Sequence, residues 1–496
     1  MLGRRSFLLF LSRILSSGLA YIGLFFITRY LGTDIYGTVT WTMAFVATFN
    51  AVSDLGFNSA HIKRMSEGCD PNQCISTFAF VKLILTGFMV ALTLTSVYIW
   101  TSLMGNTLTD TSIEIIGLFI VFQVLFDLSS IATVTFQARM EMAKMPLATL
   151  ADPMVRVPII IIVSLSYMSV RELSMAYVFG AVALLLVSML LLLRDRIKWT
   201  RPVLLRSYFT FALPLMVITI ISTISGNMDK LIIGFFWESS DVGLYSAPAV
   251  FLGVFATVST AVSALTFPSF SKLHTEGNLA EIRALSRQAE RYIAMIGIPI
   301  TILIMIFPYE VCEVLLGPKF IDSGRVIGIM AVTNFITMIN AVHNSQIVAV
   351  GRPDISARIT VLTVSINFGL MMLLIPDTGL GLSYVGAALA VMTGNIVGLI
   401  AIRYVVWRLT RTDMNYRLAL QIVAGVASAV AMYLLGQFLI IDRWYTLVLF
   451  GVVAFISFLG VLTLMKEFTR KDIDYFLELV NLRKMLSYIK GELKGK

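Results

Sequence analysis

Charge is what this sequence has least of. Only 14% of its 496 residues are Asp, Glu, Lys or Arg, where a soluble protein carries about a quarter. With 58% hydrophobic residues and a mean hydropathy of +0.87, a water-soluble globular fold is excluded. Cysteine is scarce as well, and Cys69, Cys74 and Cys312 give no disulfide framework. Cys69 and Cys74 fall in a segment expected in the cytosol, where thiols stay reduced, and no matching Cys or His cluster joins them to hold a metal. Histidine occurs three times, as His61, His274 and His343, which argues against His-centred catalysis. The patterns G-x-x-x-x-G-K-[ST], H-E-x-x-H and G-x-S-x-G do not occur. Short outer loops without paired carboxylates leave an enzyme little to work with. No catalytic activity and no cofactor are therefore expected. The short alternating segments of a membrane β-barrel are missing too.

What the sequence does have is long apolar runs from end to end, near or above the ~20 residues that a hydrocarbon core requires. They predict an all-α polytopic membrane protein of about 14 transmembrane helices, the first near 8–31 and the last near 445–465. The basic N-terminus precedes an apolar stretch too long for a signal-peptide core, so it reads as a retained first helix. Starting with that end inside, 30 of the 38 Lys and Arg residues fall in cytosolic segments and only five in outer loops and helix ends. This asymmetry orients the chain in a cytoplasmic membrane with both termini cytosolic. It also explains the net charge of +9 without any nucleic-acid partner.

An internal repeat is visible. "SDLGFNSAHIKRMSEG" (53–68) is similar to "SALTFPSFSKLHTEG" (263–277), and "DIYG" (34–37) to "DVG" (241–243), at a constant offset within a few residues. Six spans per repeat give two halves inserted in the same orientation, an arrangement found among secondary transporters. The expected organisation is an N-lobe of helices 1–6 (residues 1–200), a C-lobe of helices 7–12 (201–411) and helices 13–14 (412–465). A basic tail (466–496) follows, either an amphipathic helix on the anionic inner leaflet or a solvated segment.

Charged residues at membrane depth are costly and mark function or pairing. Lys82 lies in the third span, Asp127 with Gln123 in the fourth and Asp54 at the end of the second. The fifth span, "MPLATLADPMVRVPIIIIV", sets Asp152 and Arg156 one helical turn apart with Pro153 and Pro158 around the Arg, predicting a bent or broken helix. A broken helix with an Arg near the midplane points to a binding site; a pair that only satisfies itself is the plainer reading. Arg13 and Arg29 stand near the ends of the first span, as ligands or headgroup anchors. The tenth span is rich in amides around His343 and Asn344, which suits either binding or helix packing. In the seventh, "SGNMDKLIIGFF" places Asp229 and Lys230 side by side, where adjacent residues face directions about 100° apart. Cations at depth suit an anionic headgroup such as a diphosphate, and acids suit H+ or Na+ as coupling ions.

These segments resemble a family. "RYLGTDIYGTVTWTMAF" with "SDLGFNSAHIKR" looks like the first two helices of Wzx-type polysaccharide-biosynthesis flippases, which belong to the superfamily of multidrug, oligosaccharidyl-lipid and polysaccharide exporters. "NMDKLIIGFFWESSDVGLYSAPAVF" looks like their seventh and eighth helices, and "VGRPDISAR" like an inner loop. The resemblance implies translocation of a polyprenyl-linked oligosaccharide between leaflets by alternating access, with membrane lipids as the other partner. It implies Arg156, Lys230, Lys82 and Arg29 as substrate-binding residues around a cationic cavity. Asp229, Asp54, Asp127, Asp152, His343 and Asn344 become the coupling or gating candidates. Within the seventh span, Lys230 is expected to face the cavity and Asp229 to pair with a base on a neighbouring helix; the reverse assignment and a purely structural inter-helix pair are the alternatives. The alternatives are an ion-coupled drug/cation antiporter of the same superfamily and a non-transporting scaffold of a polysaccharide-synthesis complex.

Overall fold

The computed structural model describes residues 2–102, 109–141, 143–195, 197–413, 415–468 and 472, with side chains from Ser12 onward. No strand occurs among the described residues. In hydrocarbon each backbone donor and acceptor must be satisfied within its own segment, which favours helices wherever the apolar runs are long. The helices of the first part are α1 (Leu2–Phe26), α2 (Thr33–Asp54), α3 (Phe57–Ser66), α4 (Pro71–Ser102), α5 (Asp110–Ala138), α6 (Lys144–Leu165), α7 (Val170–Leu193), α8 (Leu205–Ser225) and α9 (Met228–Phe236). Those of the second part are α10 (Ser239–Thr275), α11 (Leu279–Ile306), α12 (Pro308–Leu316), α13 (Gly324–Ala349), α14 (Pro353–Leu374), α15 (Ser383–Thr410), α16 (Tyr416–Gly436) and α17 (Trp444–Leu464).

Thirteen of these segments are long and apolar enough to cross a membrane. The expected second span, α2, is as long as several of them at 22 residues but carries five threonines. Four of them, Thr38, Thr40, Thr42 and Thr48, donate their hydroxyls to carbonyls one turn back, so this polarity is satisfied inside the helix.

By its internal contacts the chain forms two compact units that divide between Gly234 and Phe235. In the first unit, α5 packs on α2, α4 and α7, and α6 lies along α7 and α1. The α8 helix, which sequence symmetry assigns to the second lobe, packs on α2 and α3. In the second unit, α13 packs on α10, α11 and α15, α14 lies along α15, and α16 and α17 pack on α11. The neighbours of α2, α4, α5, α6 and α7 among themselves thus recur as those of α10, α11, α13, α14 and α15.

The core of the first unit continues beyond the long helices. Phe57, Phe78, Phe136, Leu192 and Tyr208 form one buried cluster. Inside it, His61 of α3 is fully buried and stacks on Phe78, with ring centroids 4.2 Å apart. Its Nδ1 meets Tyr208 Oη at 2.9 Å and its Nε2 meets Thr135 Oγ1 at 3.1 Å, while Tyr208 donates to the Cys74 carbonyl. Burial, and after it the charge of Arg139, pushes the His61 imidazole down to about 3. This histidine is a neutral hub that ties α3, α4, α5 and α8 together.

Three expected spans are divided differently. The second ends at Asp54, because Leu55 (φ 44°) and Gly56 (φ 82°) are both left-handed and turn the chain into α3. A Cβ on Gly56 would lie 2.8 Å from Leu215 Cβ, so glycine serves both the turn and the close approach of α8. The seventh span breaks at Gly226–Asn227 into α8 and α9, and the ninth at Phe307 before Pro308. Conversely, α6 is one continuous helix through Pro153 and Pro158, so of the expected bend or break the break is not found. A proline removes one donor, and a helix packed along α7 and α1 continues past that loss. Apart from its first residues and Asp472, the expected amphipathic tail lies outside the described residues.

Candidate functional site

Two of the ion pairs in the first unit lie within its membrane-length helices and are mostly buried. On α6, Arg156 Nη2 is 3.0 Å from Asp152 Oδ2, and the two side chains are 19% and 20% exposed. The guanidinium also sits over the Tyr177 ring, 4.8 Å from its centroid. Room for the pair comes from α7: a Cβ on Gly180 would lie 2.2 Å from Asp152 Oδ1 and 2.9 Å from Arg156 Cβ. Among the described residues, the buried Asp152 Oδ1 and Arg156 Nε have no hydrogen-bond partner. Arg156 therefore has its charge balanced but donors left over, the state in which a guanidinium can take a second anion in bidentate fashion.

The second pair joins residues that the sequence reading treated separately. Lys82 Nζ on α4 is 3.2 Å from Asp127 Oδ1 on α5, and it donates to the Ser53 carbonyl at 3.1 Å. Both side chains are only 2% exposed. Removing either member of such a pair strands a charge at a cost of about 3–5 kcal/mol. Here Lys82 is engaged rather than open to a ligand, and it holds α4 to α5 and to the end of α2.

The remaining candidates are dispersed. Asp229 lies in the first turn of α9 and accepts the Lys230 N–H at 2.9 Å. Among the described residues neither Asp229 nor Lys230 makes an ion pair, so the expected pairing of Asp229 with a base on a neighbouring helix is not found. The break at Gly226–Asn227 is the reason, since it places a carboxylate where a new helix exposes unpaired N–H groups. That answers for the Asp and leaves Lys230 half-buried without an ion pair. Asp54 accepts the Asn58 N–H and so serves the start of α3. Arg29 is exposed, in a wider helical turn (Ile27–Leu31), with its guanidinium 4.5 Å from the Phe25 centroid. Asn344 is exposed and accepts the Ser356 hydroxyl.

The second unit holds a cluster that the sequence reading missed in part. His343 of α13 is fully buried, and its Nε2 lies against Glu290 Oε1 of α11. Arg403 Nη2 of α15 reaches the same oxygen. Glu290 is 1% exposed and Arg403 19%. Glu290 falls at the repeat offset from Lys82, so corresponding helices carry a buried charge cluster in each unit. The next residue, Arg291, turns the other way: it bonds Glu467 Oε1 at 2.6 Å and both carboxylate oxygens of Asp472 at 2.7 Å. That clamp fixes the chain beyond α17 onto α11.

Comparison with known proteins places these features. Residues 26–325 match the family described as "Polysaccharide biosynthesis protein". The chain is 24% identical over 393 residues to a probable low-salt glycan biosynthesis flippase, Agl15, of Haloferax volcanii, covering 78% of this chain and 80% of that protein. It is 25% identical over 180 residues to the probable flippase AglR of the same organism, 36% of this chain and 37% of the relative. Among solved structures, the lipid II flippase MurJ in an inward closed conformation aligns with 90% of this chain and 97% of its own, at TM-score 0.74 and 12% identity. An inward-facing multidrug resistance transporter of the MATE family aligns with 80% and 96%, at TM-score 0.63 and 16% identity. The fold is thus the one these transporters share, and because the family match extends over more than half of its length, this chain belongs to the polysaccharide biosynthesis protein family.

Proposed function

We propose that the protein is a flippase that carries a polyprenyl-(di)phosphate-linked oligosaccharide from the inner to the outer leaflet of the cytoplasmic membrane. It would act by alternating access, with both termini in the cytosol, and serve the assembly of a cell-surface glycan. The observation that carries the reading is the alignment with a named glycan flippase over 78% of the chain. Arg156 is assigned the substrate phosphate, because its charge is held by Asp152 while donors remain over. Lys230 and Arg29 supply further positive charge for the anionic headgroup or its approach. Arg156 lies in the first unit, and the role of the Asp152 pair is to balance and orient its guanidinium until phosphate arrives.

The test is leaflet exchange of a polyprenyl-diphosphate oligosaccharide in liposomes holding the purified protein. Wild type should exchange it. Arg156→Ala should slow exchange roughly tenfold to a hundredfold, the equivalent of one charged hydrogen bond of ~1.5–3 kcal/mol. Arg156→Lys, which keeps charge but loses the fork, should fall between the two. No exchange by wild type across matched substrates and imposed ion gradients would overturn the reading.

A further inference from the structure

We propose that Glu290, His343 and Arg403 form a proton-binding site, in which His343 takes up a proton and competes with Arg403 for the Glu290 carboxylate. The inference rests on the flippase reading only for what the proton would drive. Its grounds are geometric. A single carboxylate oxygen, Glu290 Oε1, faces two nitrogens from two other helices, His343 Nε2 and Arg403 Nη2. Glu290 and Arg403 balance each other, so the cluster is neutral with a neutral imidazole and gains one positive charge when that imidazole is protonated. Both ring nitrogens and Glu290 Oε1 are buried without a hydrogen-bond partner among the described residues, so Nε2 and Oε1 meet as an ion-pair contact only. In the neutral tautomer that carries its hydrogen on Nε2, beside Glu290, Nδ1 is the open acceptor, and a proton is the ligand that fits it.

Among the described residues no other charged group pairs with His343; on α12, which packs on α13, Glu310 is half-buried and Glu313 exposed, and neither makes an ion pair. On α11, Arg291 is committed to Glu467 and Asp472. Asp241 of α10 accepts a hydrogen bond from Ser383, and Lys272 and His274 of the same helix are exposed. Asp354 and Arg358 of α14 and Arg408 of α15 are exposed, and Arg325 of α13 pairs with Asp322. What meets His343 is Glu290, whose same oxygen also meets Arg403.

Uptake of the proton puts two cations on one carboxylate, and the one able to leave is Arg403. It is the partly exposed member, and it lies seven residues, about 10 Å, from the end of α15 at Thr410. Proton for guanidinium is thus an exchange at Glu290: His343 gains a proton from water, the imidazolium holds the carboxylate, and Arg403 is freed toward its exposed side. Because the three groups sit on α11, α13 and α15, the exchange alters how these helices are tied.

The experiment uses the full chain labelled with 15N only in histidine, in lipid, followed by solid-state NMR against pH. Three histidines give three sets of signals, and His343→Gln assigns the one in question. His61, held among hydroxyls, serves as the internal reference that stays neutral. The expected result is that the His343 signals change protonation state with pH while those of His61 do not. The His343 transition should move by about one pH unit or more in Glu290→Gln and, in the opposite direction, in Arg403→Gln. A His343 that keeps one protonation state throughout, or titrates indifferently to both replacements, overturns the proposal. In liposomes, a pH gradient should raise wild-type exchange several-fold, and the ratio of rates with and without gradient should collapse to about one in His343→Gln. Absence of all exchange with a normal NMR titration would sink the flippase reading and leave the proton site standing. Gradient-insensitive exchange by wild type together with a His343 that keeps one protonation state would do the reverse.

Discussion

Each unit buries one histidine completely, and the two are surrounded in opposite ways. His61 has two hydroxyls and a phenyl ring about it, with no carboxylate in contact. His343 has a carboxylate and a guanidinium. Only the second site sets a charged group against the imidazole. The same side chain is therefore a joint among neutral groups in one unit and the partner of a carboxylate in the other. The buried charges follow suit. Lys82 and Asp127 leave unit one with a closed pair of opposite sign, whereas at the repeat-related position Glu290 is shared between two claimants.

The largest effect should come from breaking the closed pair. Lys82→Met or Asp127→Leu alone should each cost about 3–5 kcal/mol, and the double replacement should recover most of it. Thermal unfolding in detergent checks this, and Glu290→Gln is the contrasting case: Arg403 is 19% exposed, not fully buried, so its loss of partner should lower the melting point less. Were the single Lys82 variant as stable as wild type, the closed pair would lose its structural role and Lys82 would return as a ligand candidate.

Next in size is Gly180→Ala. Its Cβ would enter the space of Asp152 Oδ1, and overpacking of this kind costs about 1–3 kcal/mol. The variant should lose stability and exchange rate together, measured on the same liposome preparation. Full exchange in this variant would separate Arg156 from the placement that α7 gives it.

The smallest effect near neutral pH belongs to His61. Its folded value, about 3, lies below the ordinary 6.5 that it regains on unfolding. The unfolded chain therefore binds the proton first as pH falls. The stabilisation is complete above 6.5 and shrinks steadily below it, by roughly 2 kcal/mol at pH 5. Unfolding midpoints between pH 5 and 8 should show this slope in wild type and lose it in His61→Phe. A slope that survives the replacement would move the acid sensitivity to other groups, with Glu290 and His343 next in line.

Much of this was legible beforehand. Apolar run length marked the membrane helices because the rule is one of thickness and needs no tertiary information. The Asp152–Arg156 pair was legible because both members sit on one helix, one turn apart. Pairing across helices was not: nothing in the sequence joins Lys82 to Asp127, or Glu290 to Arg403, until the bundle brings them together. Glu290 was missed for a second reason. It precedes the apolar run that begins near residue 292 and reads as a loop charge, yet α11 starts at Leu279. The signal was there in Ile282, Ser286, Ala289 and Ile293, buried positions at helical spacing upstream of that run. The break that turns Asp229 toward its own backbone had a weaker signal, the Gly226–Asn227 dipeptide in the middle of an otherwise apolar stretch.

The clamp from Arg291 to Glu467 and Asp472 bears on how this protein should be handled at the bench. Residues past the last membrane helix invite trimming when a tag or reporter is attached. Cutting at 466 would strip a buried guanidinium of both its carboxylates, one residue away from Glu290. A fusion that begins after Lys496 spares that neighbourhood, whereas a shortened chain would report on a damaged α11 and be mistaken for evidence about the tail.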